Sequence, residues 1–73
     1  MINATTKNGL DVWVVFNPDC EYNTGGWYCE IWENENLDCL LDDFCIHLAD
    51  CDCTDLDAVE RFAREYVSEL VIN

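Results

Sequence analysis

Basic residues are nearly absent from this 73-residue chain, which sets Lys7, Arg61 and Arg64 against 16 acids. The formal net charge of -13 excludes direct binding to nucleic acid or to an anionic membrane, because attraction to phosphate requires the opposite sign. Long apolar runs are also absent. Val12 to Phe16 is far too short to span a bilayer, and Met1 to Lys7 has no apolar stretch of the kind that opens a secretion signal. The expected location is therefore the cytoplasm, where thiols stay reduced. There is one proline and there are three glycines, and no linker, internal repeat or low-complexity tract interrupts the chain. There is one histidine, with no nucleophile elbow, phosphate loop or cofactor fingerprint. Neither an enzyme nor a cofactor is expected.

Apolar residues, by contrast, make up 51% of the chain, well above the composition of a disordered segment. Length allows a single domain over residues 1–73, with a thin core that at this size commonly needs a metal, disulfides or a partner subunit. Six cysteines are present: Cys20, Cys29, Cys39, Cys45, Cys51 and Cys53. In a reducing compartment they are expected unpaired; in a secreted chain the even number would suggest a disulfide framework.

Periodicity gives the elements. Leu10 to Asn17 reads as a strand, β-branched and aromatic, closed by Pro18. Val12, Val14 and Phe16 share one face, Trp13 and Val15 the other, so the strand should be central or covered on both sides. A polar loop, Pro18 to Gly26, ends in Gly25-Gly26. Trp27 to Glu33 alternates as a second strand, with Trp27, Cys29 and Ile31 on one face and Tyr28, Glu30 and Trp32 on the other. Asn34-Glu35-Asn36 is a turn. Leu37 to Ala49 fits two templates: a helical stripe of Leu37, Leu40, Leu41, Phe44, Cys45 and Leu48, or a strand with Phe44, Ile46 and Leu48 in front of Cys45 and His47. A strand over Leu40 to Leu48, returning beside Trp27 to Glu33, is preferred. The C-terminal segment reads as a helix. Thr54 is placed as its cap, with Asp57 three residues on and Asp55 favouring the positive dipole end. Leu56, Val59, Phe62, Ala63, Tyr66, Val67 and Leu70 form its apolar stripe. Opposite this stripe, Asp57–Arg61, Glu60–Arg64 and Arg61–Glu65 stand at ion-pair spacing. The expected fold is α+β: a three-stranded antiparallel meander with one C-terminal helix across one face. The other face, drawn from Trp13, Val15, Tyr28 and Trp32, could be buried in a homodimer.

The acids are unevenly placed. Between Lys7 and Arg61 there is no Lys or Arg, yet that span holds fourteen of the 16 acids, all but Glu65 and Glu69. Such a block repels itself, and mixed charges would meet a solubility requirement at less cost. A compact chain of this length has a diameter of about 29 Å. Duplex DNA carries roughly 17 charges over that distance, the same order as the acidic total. The expected partner is a basic protein surface, such as the groove of a nucleic-acid-binding protein, lined with lysine and arginine. Glu30, Glu33, Glu35, Asp38, Asp42, Asp43, Asp50 and Asp52 are the contact candidates, with Tyr22, Tyr28 or Trp32 as aromatic anchors.

In size, charge and α/β layout the chain resembles the small acidic phage-encoded inhibitors, the DNA-mimic anti-restriction and anti-CRISPR proteins. That resemblance implies inhibition of a host defence protein by occupation of its nucleic-acid groove. The strand Asp11 to Asn17, the Gly25-Gly26-Trp27-Tyr28 lead-in and the helix opening Thr54-Asp55-Leu56-Asp57-Ala58 also resemble HicB-type antitoxins, which implies a small basic toxin as partner. The proline-rich strand segment of that family is missing, as is a DNA-binding module after the helix. A generic acidic domain, or adaptation to high salt, accounts for the composition without a specific partner.

Two other clusters have chemical alternatives. Cys45, His47, Cys51 and Cys53 offer enough ligands for tetrahedral zinc, but C-x-H and C-x-C replace the usual knuckle spacing, and buried or half-buried cysteines beside a strand-face histidine are the better explanation. Asp50, Asp52 and Thr54 begin like a calcium loop, but Asp55 stands where glycine is required and Arg61 where a bidentate Glu is required. Helix capping is the better explanation. Asp42 and Asp43, as strand neighbours, should point to opposite faces and cannot work as paired carboxylates.

Overall fold

The computed structural model describes residues 1–18 and 25–73. Its elements are β1 (Ile2–Thr5), β2 (Asp11–Pro18), β3 (Trp27–Trp32), β4 (Leu40–Ile46) and α1 (Leu56–Ser68). The strands form one antiparallel sheet in the order β1-β2-β3-β4, a meander with the helix on one face. The sheet therefore has four strands, not three. The extra strand is β1, whose Ile2 and Ala4 are buried while Asn3 and Thr5 are exposed. This is an alternation of period two, carried by only four residues and half hidden by alanine.

With β1 on one side and β3 on the other, β2 is an inner strand, as its doubly apolar pattern requires. Val12 and Val14 are completely buried. They join Ile2, Ala4, Cys29, Ile31, Phe44 and Ile46 from the sheet, and Val59, Ala63 and Val67 from α1, in one core. Phe44 also stacks on Tyr66 of the helix, with ring centroids 4.1 Å apart, and this contact adds to area burial alone. The segment 37–49 is a strand in its core part. Leu37, Leu40 and Leu48 are exposed, so half of the helical stripe they belong to is left unburied. β4 stops at Ile46; His47 accepts from Asp50 N–H at 2.9 Å and closes a turn instead of extending the strand to Leu48.

The N-cap of α1 lies one residue beyond the expected position. Asp55, not Thr54, is the N-cap: its side chain accepts from Asp57 N–H at 3.0 Å. Thr54 instead donates its hydroxyl to Asp52 at 2.6 Å. Aspartate and threonine are comparable caps, and Asp52 already claims the threonine. Of the three helix ion pairs, Arg64–Glu60 closes at 4.0 Å; Arg61 makes none among the described residues. Beyond the helix, the tail is fastened to the β1–β2 turn by Lys7 N–H donating to Leu70 C=O and Asn8 Nδ2 donating to Ile72 C=O, both at 2.8 Å. Thr6, buried in that turn, is satisfied through Asn8 and Leu10. Among the described residues no helix is long and apolar enough to cross a membrane.

Candidate acidic interaction surface

Strand alternation sends every second residue of the sheet away from α1, and registry then arranges these residues in rows. Trp13 of β2 stands opposite Trp32 of β3, with Leu40 of β4 beyond it. The next row is Val15, Glu30 and Asp43; the third is Asn17, Tyr28 and Cys45. No described element covers this face. Its apolar members Trp13, Val15 and Trp32 are half-buried, and Leu40 is exposed. A bulge between the pairs Ile31–Asp42 and Trp32–Leu40 admits Leu41 as an extra residue. It returns Leu40 to the row of the tryptophans and turns Leu41 toward the core.

The middle row opposes two carboxylates. Residues directly across an antiparallel pair have Cβ atoms about 5 Å apart, and like charges there are destabilising. Glu30 accepts from Asn17 Nδ2 at 3.1 Å and Asp43 accepts from the Tyr28 hydroxyl at 2.8 Å. Both donors are neutral. Lys7 lies in the β1–β2 turn and both arginines on α1, so no side-chain cation offsets the pair. The bond to Asp43 stabilises the protonated phenol, and with the surrounding negative charge it pushes the Tyr28 pKa up to about 12. In the first row the Trp32 indole N–H is enclosed and finds no acceptor among the described residues.

The sequence candidates fall in four places. Tyr28, Glu30, Trp32 and Asp43 share the open face. Glu33, Glu35 and Asp38 lie exposed in the β3–β4 turn. Asp42 opposes Ile31 on the helix side, where it acts on Tyr66 and, after burial, helps raise that phenol's pKa. Asp50 and Asp52 are exposed in the β4–α1 connection, where they also shape the backbone. Asp50 accepts from His47 N–H at 2.8 Å. Asp52 accepts from the Thr54 hydroxyl and N–H, which holds its carboxyl below the usual carboxylate range. Asp42 and Asp43 do point to opposite faces. Tyr22 and most of the loop Pro18 to Gly26 lie outside the described residues. Trp13 and Leu40 belong to the face without having been contact candidates; the parity of Trp13 with Val15 was the available signal, whereas the position of Leu40 depends on the bulge.

The cysteines do not gather into a metal site. Cys45 belongs to the open-face row of Tyr28, His47 is exposed beyond the end of β4, and Cys53 packs in the core with its thiol 3.5 Å from the His47 carbonyl. Among the described residues no group of three or more His, Cys, Asp or Glu is arranged to hold a metal, and no disulfide is formed. Cys29 is completely buried on the helix side. Burial first, then the neighbouring cysteines, pushes its thiol up from 9.0 to about 12. A raised folded-state pKa favours the neutral thiol, so its contribution is fully present below pH 9 and is lost as pH rises toward 12. The urea midpoint is accordingly expected to hold steady from neutral pH to about 9 and then fall. Cys29→Val should remove part of that fall; an unchanged alkaline slope in the variant would exclude Cys29 as a cause.

No protein-family model matches the chain, and no curated protein or solved structure matches it either.

Proposed function

We propose that this protein is a small acidic inhibitor that occupies the basic nucleic-acid-binding groove of a host defence protein, acting by binding and without chemistry of its own. The observation that carries this reading is the agreement between charge and size. The molecule measures 30 × 21 × 17 Å, and a duplex of that length presents roughly 18 phosphate charges, against 16 acids here. The open face, the β3–β4 turn and the β4–α1 connection hold no Lys or Arg, so a groove built for phosphates meets carboxylates there without opposing cations. Electrostatic matching of this kind steers association and rejects acidic competitors.

The test is displacement. Restriction and CRISPR effector complexes loaded with labelled duplex or guide RNA are titrated with the purified protein at low salt. Release of nucleic acid near stoichiometric protein is expected from at least one of them. Retention by all of them sinks the proposal. A small basic toxin as partner would instead give a saturable complex with that toxin and no release.

A further inference from the structure

The open sheet face sets an opposed carboxylate pair between aromatic rows. Glu30 and Asp43 face each other across β3 and β4, with Trp32 and Trp13 in the row to one side and Tyr28 in the row to the other. Rows on one face of a strand lie two residues apart, about 7 Å. A planar cation above the two carboxylates is therefore within reach of rings on both sides. We infer that this face is a docking site for arginine side chains of a basic protein partner, and that it selects arginine over lysine. The inference rests on the reading of the chain as an acidic binder and names the surface and the side chain that this reading leaves open.

One observation and one property of the side chain favour that occupant. The Glu30–Asp43 pair is unfavourable in the isolated chain, and among the described residues its hydrogen-bond donors are the neutral Asn17 and Tyr28, so a cation placed between the two carboxylates relieves a repulsion already present. Guanidinium is planar, donates in a fork that suits carboxylates, stacks on aromatic faces and is more weakly hydrated than ammonium. Lysine satisfies the charge but neither the fork nor the stacking. A second copy of this chain is a poor occupant. Each copy carries -13, and a two-fold pairing would bring two Glu30–Asp43 pairs against each other with no side-chain cation among them.

The probes are hexa-arginine and hexa-lysine peptides of equal charge, titrated at low salt into isotopically labelled protein and followed through the backbone amides and the indole N–H signals. Hexa-arginine is expected to bind at least about fivefold more tightly than hexa-lysine, with shifts centred on Trp13, Tyr28, Glu30, Trp32 and Asp43. Trp32→Ala should abolish the preference while leaving hexa-lysine affinity nearly unchanged. Glu30→Gln provides the fold control: it should melt no lower than the parent, because a like-charge pair is removed, and still lose the arginine preference. Equal affinity for the two peptides, or shifts confined to 33–38, 50–57 or the Phe62–Tyr66 side of α1, overturns the inference and leaves the acidic-binder reading standing. Failure of hexa-arginine to bind overturns it as well. Concentration-dependent dimerisation that shifts the two indoles would assign the face to a second copy and overturn it.

Discussion

Replacing Gly26 by alanine is expected to cost about 3 kcal/mol or more of folding free energy, at the severe end of overpacking. A Cβ built at this position runs into the carbonyl oxygen of Ile46. That atom belongs to backbone, so no rotamer change makes room. Trp27, the next residue, is paired with Ile46 in the β3–β4 ladder, and separating the strands there disturbs the pairing where β3 begins. Trp27 also donates its indole N–H to Cys53 C=O at 2.9 Å, so displacement is passed to the β4–α1 connection. A chain of this length commonly has about 4–11 kcal/mol in total; the substitution removes a large part of it and should lower the melting temperature by roughly 12 °C or more. Gly9 is the matched control. Its φ of +85° strains any side chain, but nothing lies within 4 Å of an added Cβ, so Gly9→Ala should cost only about 1 kcal/mol. Equal losses at the two sites would refute the steric account.

The other large effect is on binding. If Glu30, Glu33, Glu35, Asp38, Asp42 and Asp43 stand in for six phosphates, log affinity for the partner should fall against log salt with a slope of about −5. Between 50 and 200 mM salt this is roughly a thousandfold loss. Neutralising the β3–β4 turn as Glu33→Gln, Glu35→Gln and Asp38→Asn should flatten the slope by about 3 with little change in stability, since all three side chains are exposed. A competition assay across that salt range measures both. An affinity that changes less than tenfold would remove the phosphate analogy.

Much of this surface was legible in the sequence because two signals are local. Parity along β2 and β3 assigned Trp13, Val15, Tyr28, Glu30 and Trp32 to one face, and the charge map needed only the positions of three cations. Registry was not legible. Whether Glu30 meets Asp43 or a neighbour depends on the β3–β4 turn and on the bulge that absorbs Leu41, and neither is encoded in a repeating pattern. β1 was missed because Ile2 and Ala4 give only two inward positions, too few to stand out from a polar N-terminus. The helix was plain from its stripe, yet the choice of cap depended on a contact outside it, the hold of Asp52 on Thr54. The expected self-neutralisation of α1 was overstated: spacing permits three ion pairs, but exposed pairs gain little, commonly ~0–1 kcal/mol, and Arg61 forms neither of its two.

The bulged strand has one more consequence. β4 ends the sheet, and among the described residues its outer side pairs with no strand, leaving backbone donors and acceptors open to any extended segment that drifts alongside. Such edges are where chains stack into fibrils. Asp42 and Asp43 sit side by side along this rim, and the bulge at Leu41 breaks its regular spacing. An incoming copy would bring its own carboxylates to the same line. The charge that suits the protein to a basic partner also keeps its copies from joining edge to edge.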